Sequence, residues 1–205
     1  MVKLITKITD DSKIPFYKTL KRGANVFLKE RYGETPIIGV ELGVYVGHNS
    51  YELLNNLNFS KLYLVDAWDS EINSTWGTSS YSLDHITWGK EALDSVYSKI
   101  VERFGEHKNV EIIRAESGKA TEYIEDNYCD FVFIDAAHSY KAVLRDCQLW
   151  YPKIKSGGIL CGHDLLLDDV RNAVDTFSQS INSHYIVVYS EIDPGDGPCF
   201  ILIKE

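Results

Sequence analysis

The sequence lacks any apolar run long enough to cross a membrane. A bilayer-spanning helix needs about 20 consecutive apolar residues, and the first 30 residues return repeatedly to charged side chains. A secretory signal peptide would need an uninterrupted apolar stretch in that region. We therefore expect neither a signal peptide nor an anchor, and no membrane partner.

Positive charge is scarce as well. The chain carries 21 basic against 30 acidic side chains, a formal net charge of −9. That sign is wrong for a surface that follows phosphate backbones, so nucleic acid is not an expected partner.

The four cysteines have no CxxC spacing of the kind used by zinc and redox sites. Cysteines in or beside apolar segments usually behave as small hydrophobic side chains. We expect buried, reduced thiols and a cytoplasmic location, because disulfides are rare in reducing compartments. The cysteines are Cys129, Cys147, Cys161 and Cys199.

The alternation of short apolar runs with helical patterns predicts the fold. With 205 residues, 44% of them hydrophobic, the chain fits a single domain over residues 1–205. The order of elements is typical of α/β proteins. We predict a Rossmann-like, doubly wound sheet of seven strands with helices on both faces, mostly parallel and closed by an antiparallel C-terminal hairpin. The predicted strands are 37–42, 61–65, 110–114, 131–134, 158–161, 184–190 and 199–204, and the helices are 12–32, 50–57, 87–104, 119–126, 140–150 and 168–180.

Two segments stand apart from the alternation. The insertion 69–88 is long for a strand-to-helix connection and carries Trp76, Tyr81 and Trp88, so it is either an aromatic lid or a surface excursion held down by its rings. The N-terminal helix 12–32 either covers the bound cofactor or forms a contact between copies, which leaves a homo-oligomer open.

A glycine loop follows the first predicted strand. Gly43 and Gly47 allow a sharp turn and close approach of a ligand, and Asn49 or Ser50 can cap the helix that follows. The spacing is not GxGxxG, and Glu41 at the strand end would repel a pyrophosphate but attract an ammonium group.

A second acid completes this pattern. Asp66 ends the next strand, 23 residues after Gly43, where a carboxylate can accept both hydroxyls of a ribose. The N-terminus of the helix after the glycine loop can bind a carboxylate. Nucleoside, amine and carboxylate together indicate S-adenosylmethionine.

Further polar residues follow the fourth and fifth strands at the same predicted edge. Asp135 and His138 lie three residues apart, and the fifth strand ends in His163 and Asp164. Carboxylates favour Mg²⁺, Ca²⁺ or Mn²⁺, and a nitrogen donor at His163 would favour Mn²⁺, Fe²⁺ or Zn²⁺. Alternatively, Asp164 caps the next helix and His138 is an ordinary turn residue.

With these motifs the chain resembles the class I S-adenosylmethionine-dependent methyltransferases over nearly its whole length. The loop Glu-Leu-Gly-x-Tyr-x-Gly is similar to that of catechol O-methyltransferases. The segments Phe-Ile-Asp-Ala-Ala-His-Ser-Tyr and Gly-Gly-Ile-Leu-Cys-Gly-His-Asp resemble bacterial small-molecule O-methyltransferases, including macrolide-sugar enzymes. The sequence departs from these families at His163, where the sugar enzymes have Glu, and at Leu165, where the catechol type has Asn.

The resemblance implies roles for individual residues. Asp135 and Asp164, with His163, would bind a divalent metal (Mg²⁺ or Mn²⁺), and His138 and Asp135 would be catalytic, with His138 as general base. The residues implied in cofactor binding are Glu41, Gly43, Tyr45, Gly47, Asn49, Asp66, Ala67, Trp68, Glu116, Ser117 and Asp135.

The predicted function is therefore methyl transfer to a hydroxyl of a small-molecule acceptor, which is a sugar, a polyketide or a phenol. Two alternatives stay open. A nicotinamide-dependent oxidoreductase would also use Asp66, although the missing GxGxxG argues against it. A catalytically silent protein that uses the cofactor fold as a scaffold is the other.

Overall fold

The computed structural model describes residues 3–5, 21–69, 86–190 and 196–205. Their central feature is a mixed sheet with helices on both faces. The strands are β1 (Lys3–Ile5), β2 (Ile37–Leu42), β3 (Phe59–Asp66), β4 (Ile86–Trp88), β5 (Val110–Arg114), β6 (Cys129–Ile134), β7 (Ile154–Gly162), β8 (Ile186–Val188) and β9 (Cys199–Ile203). The helices are α1 (Gly23–Tyr32), α2 (His48–Asn56), α3 (Lys90–Phe104), α4 (Ser117–Ala120), α5 (Tyr140–Trp150) and α6 (Asp168–Ser180).

The main sheet has seven strands in the order β5-β3-β2-β6-β7-β9-β8. The first five pair in parallel, and β9 runs antiparallel to both β7 and β8. The predicted seven-stranded sheet with an antiparallel C-terminal hairpin is thus confirmed. The chain leaves β2 toward β3 on one side and later returns to β6 on the other, and this reversal creates the crevice where open α/β sheets bind ligands.

The central strands are apolar on both faces because helices cover both faces. In β6, Phe131 and Phe133 pack in a core that includes Leu28 of α1 and Ile100 of α3. The alternate side chains of the same strand pack in the opposite core with α5 and α6. A strand that is buried on both faces has an almost continuous run of hydrophobic residues, which is why these strands could be predicted from the sequence.

Several predicted boundaries are wrong. The helix predicted over 87–104 begins at Lys90, because Ile86–Trp88 forms a short parallel strand with Lys3–Ile5. The helix predicted over 119–126 is α4, only four residues long, followed by a 3₁₀ turn at Thr121–Tyr123. The strand predicted over 184–190 shortens to Ile186–Val188.

Parts of two other predictions lie outside the described residues. In the predicted helix 12–32, residues 12–20 are not described. The prediction is wrong at Lys21 and Arg22, which are not helical, and α1 begins at Gly23. Of the predicted insertion 69–88, residues 70–85 are likewise outside, among them Trp76 and Tyr81.

All four cysteines are buried and none forms a disulfide, as predicted. Across the described ranges, no helix has the length and apolar character that crossing a bilayer requires.

Two glycines with similar backbone angles allow a test of the contact between the loops after β2 and β6. Gly43 has φ +85° and a Cβ there would lie 2.0 Å from the carbonyl oxygen of Asp135, whereas Gly157 has φ +78° and open space around it. The left-handed conformation alone costs alanine about 1–2 kcal/mol. Overpacking adds about 1–3 kcal/mol. In urea unfolding, Gly43→Ala should therefore lower the free energy of unfolding clearly more than Gly157→Ala, and equal losses would contradict the contact.

Candidate active site

The loops after β2, β3 and β6 meet at the carboxyl edge of the sheet. The backbone N–H of Gly43 donates to the carbonyl of Val65 (2.9 Å), and the N–H of Asp135 donates to the carbonyl of Leu42 (2.8 Å). The loops after β2 and β6 are therefore each hydrogen-bonded to the end of a neighbouring strand, which holds the acids at these strand ends in one region.

Glu41 is fully buried on the face covered by α2. Asn49 donates to its Oε1 (3.1 Å) and Ser50 donates to its Oε2. Burial raises the pKa of Glu41 to about 8, against the lowering effect of these two hydrogen bonds and of Arg22. The side chain is therefore mainly protonated at neutral pH, and a cation beside it would favour its ionised form.

The prediction that Asn49 or Ser50 caps α2 is wrong. The helix begins at His48, its N-cap is Gly47 in the left-handed conformation, and no side chain makes the cap hydrogen bond. Both polar side chains turn inward to Glu41, because a buried carboxyl left without hydrogen-bond donors is costly.

This inward turn extends into a buried polar network. The Asn25 amide of α1 donates to Asn49 Oδ1 and to Glu52 Oε1, both at 2.8 Å. Asn25, Asn49 and Glu52 are each at most 6% exposed. Helix α1 is thereby hydrogen-bonded to α2 directly beside Glu41.

Asp66 ends β3 and is held by main-chain donors. Its Oδ2 accepts from the N–H of Tyr45 (2.9 Å) and its Oδ1 from the N–H of Trp68 (2.8 Å). Burial nevertheless raises its pKa above the usual value, outweighing these hydrogen bonds and those of Val44 and Ala67. Tyr45 and Trp68 both have positive φ, so the two loops bend sharply around this carboxylate.

Trp68 lies inside the protein rather than at its surface. It is 1% exposed, its indole packs on Tyr97 with ring centroids 5.1 Å apart, and its Nε1 donates to the carbonyl of Tyr45 (3.0 Å). In this arrangement it supports the two loops from within, while Tyr45 is 38% exposed at the rim. Contact of Ala67 or Trp68 with a cofactor stays a prediction.

Glu116 and Ser117 belong to a second network. Arg145 of α5 pairs with the Glu116 carboxylate and donates to Ser117 Oγ (2.7 Å). Ser117 in turn donates to Asp146 (2.6 Å), a side chain 1% exposed whose pKa is raised by burial. Both predicted cofactor residues are thus fixed by α5, and their contact with a base stays a prediction.

Asp135, His138 and Asp164 form one compact group. Each offers a donor atom, and these atoms lie within 4.8 Å of one another. His138 Nε2 is 2.9 Å from Asp164 Oδ2 and 4.0 Å from Asp135 Oδ1. Two carboxylates and an imidazole are a donor set that fits a divalent cation.

Arg22, which the sequence analysis did not single out, reaches the same group. It precedes α1, and its guanidinium pairs with Asp135 Oδ2. Burial raises the pKa of Asp135, but Arg22, His138 and His163 outweigh that effect and lower it below the usual value. Asp135 is therefore ionised and faces a cation on one side and His138 on the other.

His163 lies between two carboxylates. Its Nδ1 is 3.2 Å from Asp164 Oδ1 and its Nε2 is 3.5 Å from Asp196 Oδ1. Although burial lowers its pKa, these two acids raise it to about 9, so the ring is protonated at neutral pH. Both nitrogens face carboxylates, and its part as a metal ligand stays a prediction.

The two predicted loop glycines have a packing role. Both have positive φ, and a Cβ on Gly47 would lie 2.6 Å from the Phe104 ring and 2.8 Å from Ile100, as one on Gly43 would meet the backbone of Asp135. Their lack of a side chain is thus already required by neighbouring protein atoms.

Some of the polar residues missed by the sequence analysis left a signal. Asn25, Glu52 and Asp146 sit on helix faces that are otherwise buried. A polar residue at apolar spacing on a helix indicates a buried partner. Arg22 left no such signal, because the sequence placed it inside the helix predicted over 12–32, whereas it lies in extended backbone just before α1.

Comparison with known proteins agrees with this geometry. A family model described as "Methyltransferase domain" matches residues 40–165, more than half of the chain. The chain therefore belongs to this family of methyltransferase domains, and its sheet is that of a class I, S-adenosylmethionine-dependent methyltransferase. No curated protein matches it in sequence.

Solved structures of low identity share the fold. A candidate S-adenosyl-L-methionine-dependent methyltransferase of Methanococcus maripaludis has 16% identity and a TM-score of 0.57, over 95% of this chain and 88% of that one. An rRNA methylase of Streptococcus thermophilus has 15% identity and a TM-score of 0.59, over 91% and 98%. A candidate caffeoyl-CoA O-methyltransferase of Staphylococcus aureus has 14% identity and a TM-score of 0.55, over 91% and 85%.

The raised pKa of Glu41 makes stability depend on pH in a defined direction. Between the ordinary glutamate pKa of 4.5 and the folded value of about 8, the unfolded chain has lost this proton while the folded protein keeps it. The free energy of unfolding should then fall as pH rises through this window, by up to about 1.4 kcal/mol per pH unit, and level off above it.

Glu41→Gln should lack this contribution. Urea unfolding of wild type and variant at pH 5.5, 7 and 8.5 measures the difference between them. The wild type should lose stability relative to Glu41→Gln from pH 5.5 to 8.5, and a constant difference would contradict the assignment.

Proposed function

We propose that the protein transfers the methyl group of S-adenosylmethionine to a hydroxyl of a small molecule, with His138 as general base. The observation that supports this most is the placement of two acidic groups by neighbouring strands. Glu41 lies in β2 and Asp135 directly follows β6, and these two strands are paired in parallel. A cofactor held by the first group would lie beside an acceptor held at the second.

The cofactor side fits the chemistry of the ligand. S-adenosylmethionine supplies an already activated methyl group, so the protein's task is to bind and orient. Glu41 would lose its proton and pair with the ammonium group, while Asp66 would accept the ribose hydroxyls in competition with its main-chain donors. Tyr45, exposed at the rim, would border the same ligand.

The acceptor side fits proton removal. His138 Nε2 faces Asp164 and Asp135. A neutral His138 ring would therefore carry its proton on Nε2 and accept the proton of the acceptor hydroxyl on Nδ1. The two carboxylates would stabilise the imidazolium that forms, as the acid does in a catalytic triad. Placement of a base is typically worth about 10² to 10⁴ in rate.

A divalent cation, Mg²⁺ or Mn²⁺, is part of the proposal. Asp135 and Asp164 would hold it, and His163 would join them as a third donor on losing the proton it carries between Asp164 and Asp196. When bound there, a divalent cation would supply Lewis-acid chemistry that lowers the pKa of the attacked hydroxyl.

A small molecule suits this site better than RNA, although two structural neighbours are described as rRNA methylases. The chain has a net charge of −9. On the acceptor side, three acids (Asp135, Asp164 and Asp196) outnumber the two cations that pair with them, Arg22 and the protonated His163. Phosphate backbones would be repelled by this charge.

Cofactor binding is testable through the proton on Glu41. Titration calorimetry with S-adenosylhomocysteine at pH 7, in two buffers of different ionisation enthalpy, should show saturable binding with release of close to one proton. The reason is that the ligand ammonium draws Glu41 into its ionised form. Glu41→Gln should bind more weakly and release none.

NAD is the control ligand in this experiment, because a nicotinamide-dependent enzyme would bind it at Asp66. We expect no saturable binding of NAD. Absence of saturable heat with S-adenosylhomocysteine would refute the proposed function. Binding without proton release would refute only the role of Glu41.

Catalysis is testable by transfer of a radiolabelled methyl group to a panel of catechols, other phenols and sugars. His138→Ala should lower kcat about 10²- to 10⁴-fold on any accepted compound and leave S-adenosylhomocysteine affinity unchanged. His107→Ala, an exposed histidine after α3, is the control and should match the wild type. Wild-type turnover by His138→Ala would exclude the base.

A further inference from the structure

A built-in positive charge occupies the acceptor side of the site. The Arg22 guanidinium pairs with Asp135 Oδ2, lies 3.8 Å from Asp196 through its Nε, and stacks over the Phe133 ring at 5.7 Å from the centroid. Its side chain is only 20% exposed. The charge is thus enclosed between two acids and an aromatic face, where solvent screens it weakly.

The backbone around Arg22 is fixed by several contacts. The N–H groups of Lys21 and Arg22 both donate to Glu52 Oε1, at 2.7 and 3.2 Å. The next residue, Gly23, approaches the backbone of Tyr189 so closely that a Cβ would lie 2.8 Å from it. Arg22 therefore projects toward Asp135 from an anchored position rather than from a loose end.

Asp135 has a separate neighbour for each of its two oxygens. Oδ2 meets Arg22, while Oδ1 faces His138 at 4.0 Å. Asp135 is also the carboxylate that a divalent cation would need together with Asp164. A metal at this group would lie next to the guanidinium, and two like charges around one carboxylate repel.

We propose that Arg22 is a resident counter-cation that competes with divalent metal for Asp135, so that metal binds weakly until the guanidinium leaves. This rests on the proposed use of a metal in methyl transfer. Metal dependence would then be governed by the start of α1, where Lys21 and Arg22 are tied to Glu52. Withdrawal of Arg22 would uncover the carboxylate and remove the repulsion in one movement.

The test measures Mn²⁺ binding to the whole protein directly, from the free-ion signal in electron paramagnetic resonance. Arg22→Met and Arg22→Gln should each lower the dissociation constant for Mn²⁺ at least ten-fold. Arg22→Lys keeps the charge and should stay close to the wild type. Arg31→Met removes an exposed arginine from the other end of α1, and it should also match the wild type.

Adding Asp164→Asn to Arg22→Met should abolish the gain, which places the ion at this site. Unchanged affinity in Arg22→Met and Arg22→Gln, no Mn²⁺ binding by either, or a gain that survives Asp164→Asn would each overturn the proposal. Should the variants fail to fold, nitrogen NMR of the Arg22 Nε–H in the wild type replaces them. Saturating Mg²⁺ should then shift this signal, and an unchanged signal would overturn the competition.

Calorimetry with S-adenosylhomocysteine on the same samples separates this inference from the proposed function. Competition at Asp135 does not require the cofactor, so each result can fail without the other.

Discussion

The burial of Glu41 and the partial burial of Asp66, Asp135 and Asp164 at one edge of a sheet are the constraint that organises this protein. An ionised acid away from water is costly unless something compensates it. The edge compensates each in a different way. Glu41 keeps its proton beside two neutral donors, Asp66 is surrounded by main-chain N–H groups, Asp135 pairs with Arg22, and Asp164 lies between two imidazoles.

These different compensations fit different tasks. The neutral carboxyl group of Glu41 can ionise when a cation binds beside it, whereas the carboxylate of Asp66, held by main-chain donors, is a fixed hydrogen-bond acceptor.

The backbone of Asp164 is also unusual. This residue follows β7 by two positions and has φ +60°, a conformation rare for a residue with a side chain. Such backbone outliers gather at functional sites, where surrounding structure maintains them.

The sheet could be predicted from the sequence because strands buried on both faces carry an uninterrupted apolar signal and end in recognisable acids. Glu41, Asp66, Asp135 and Asp164 were placed at one edge by that logic alone. What could not be predicted depends on tertiary contacts, which no local pattern contains. The strand at Ile86–Trp88 exists through its pairing with Lys3–Ile5, and Asn49 turns to Glu41 instead of capping its helix.

The residues that complete the site are of this second kind. Arg22 reaches Asp135 across 113 positions of sequence. No local sequence pattern predicts this contact, because it forms only when α1 packs against the sheet. The same fold occurs in structural neighbours described as an rRNA methylase and as a candidate caffeoyl-CoA O-methyltransferase. The fold alone does not identify the acceptor, which depends on the side chains at the carboxyl edge of the sheet.

Gly23 shows how a missing side chain can set the reach of its neighbour. It lets the first turn of α1 rest directly on the main chain at Tyr189. Even one added methyl group would act as a spacer between the helix and the end of the sheet. The guanidinium of Arg22, one position earlier, would be drawn back with the helix, so the absence of a side chain at Gly23 determines how far the arginine extends.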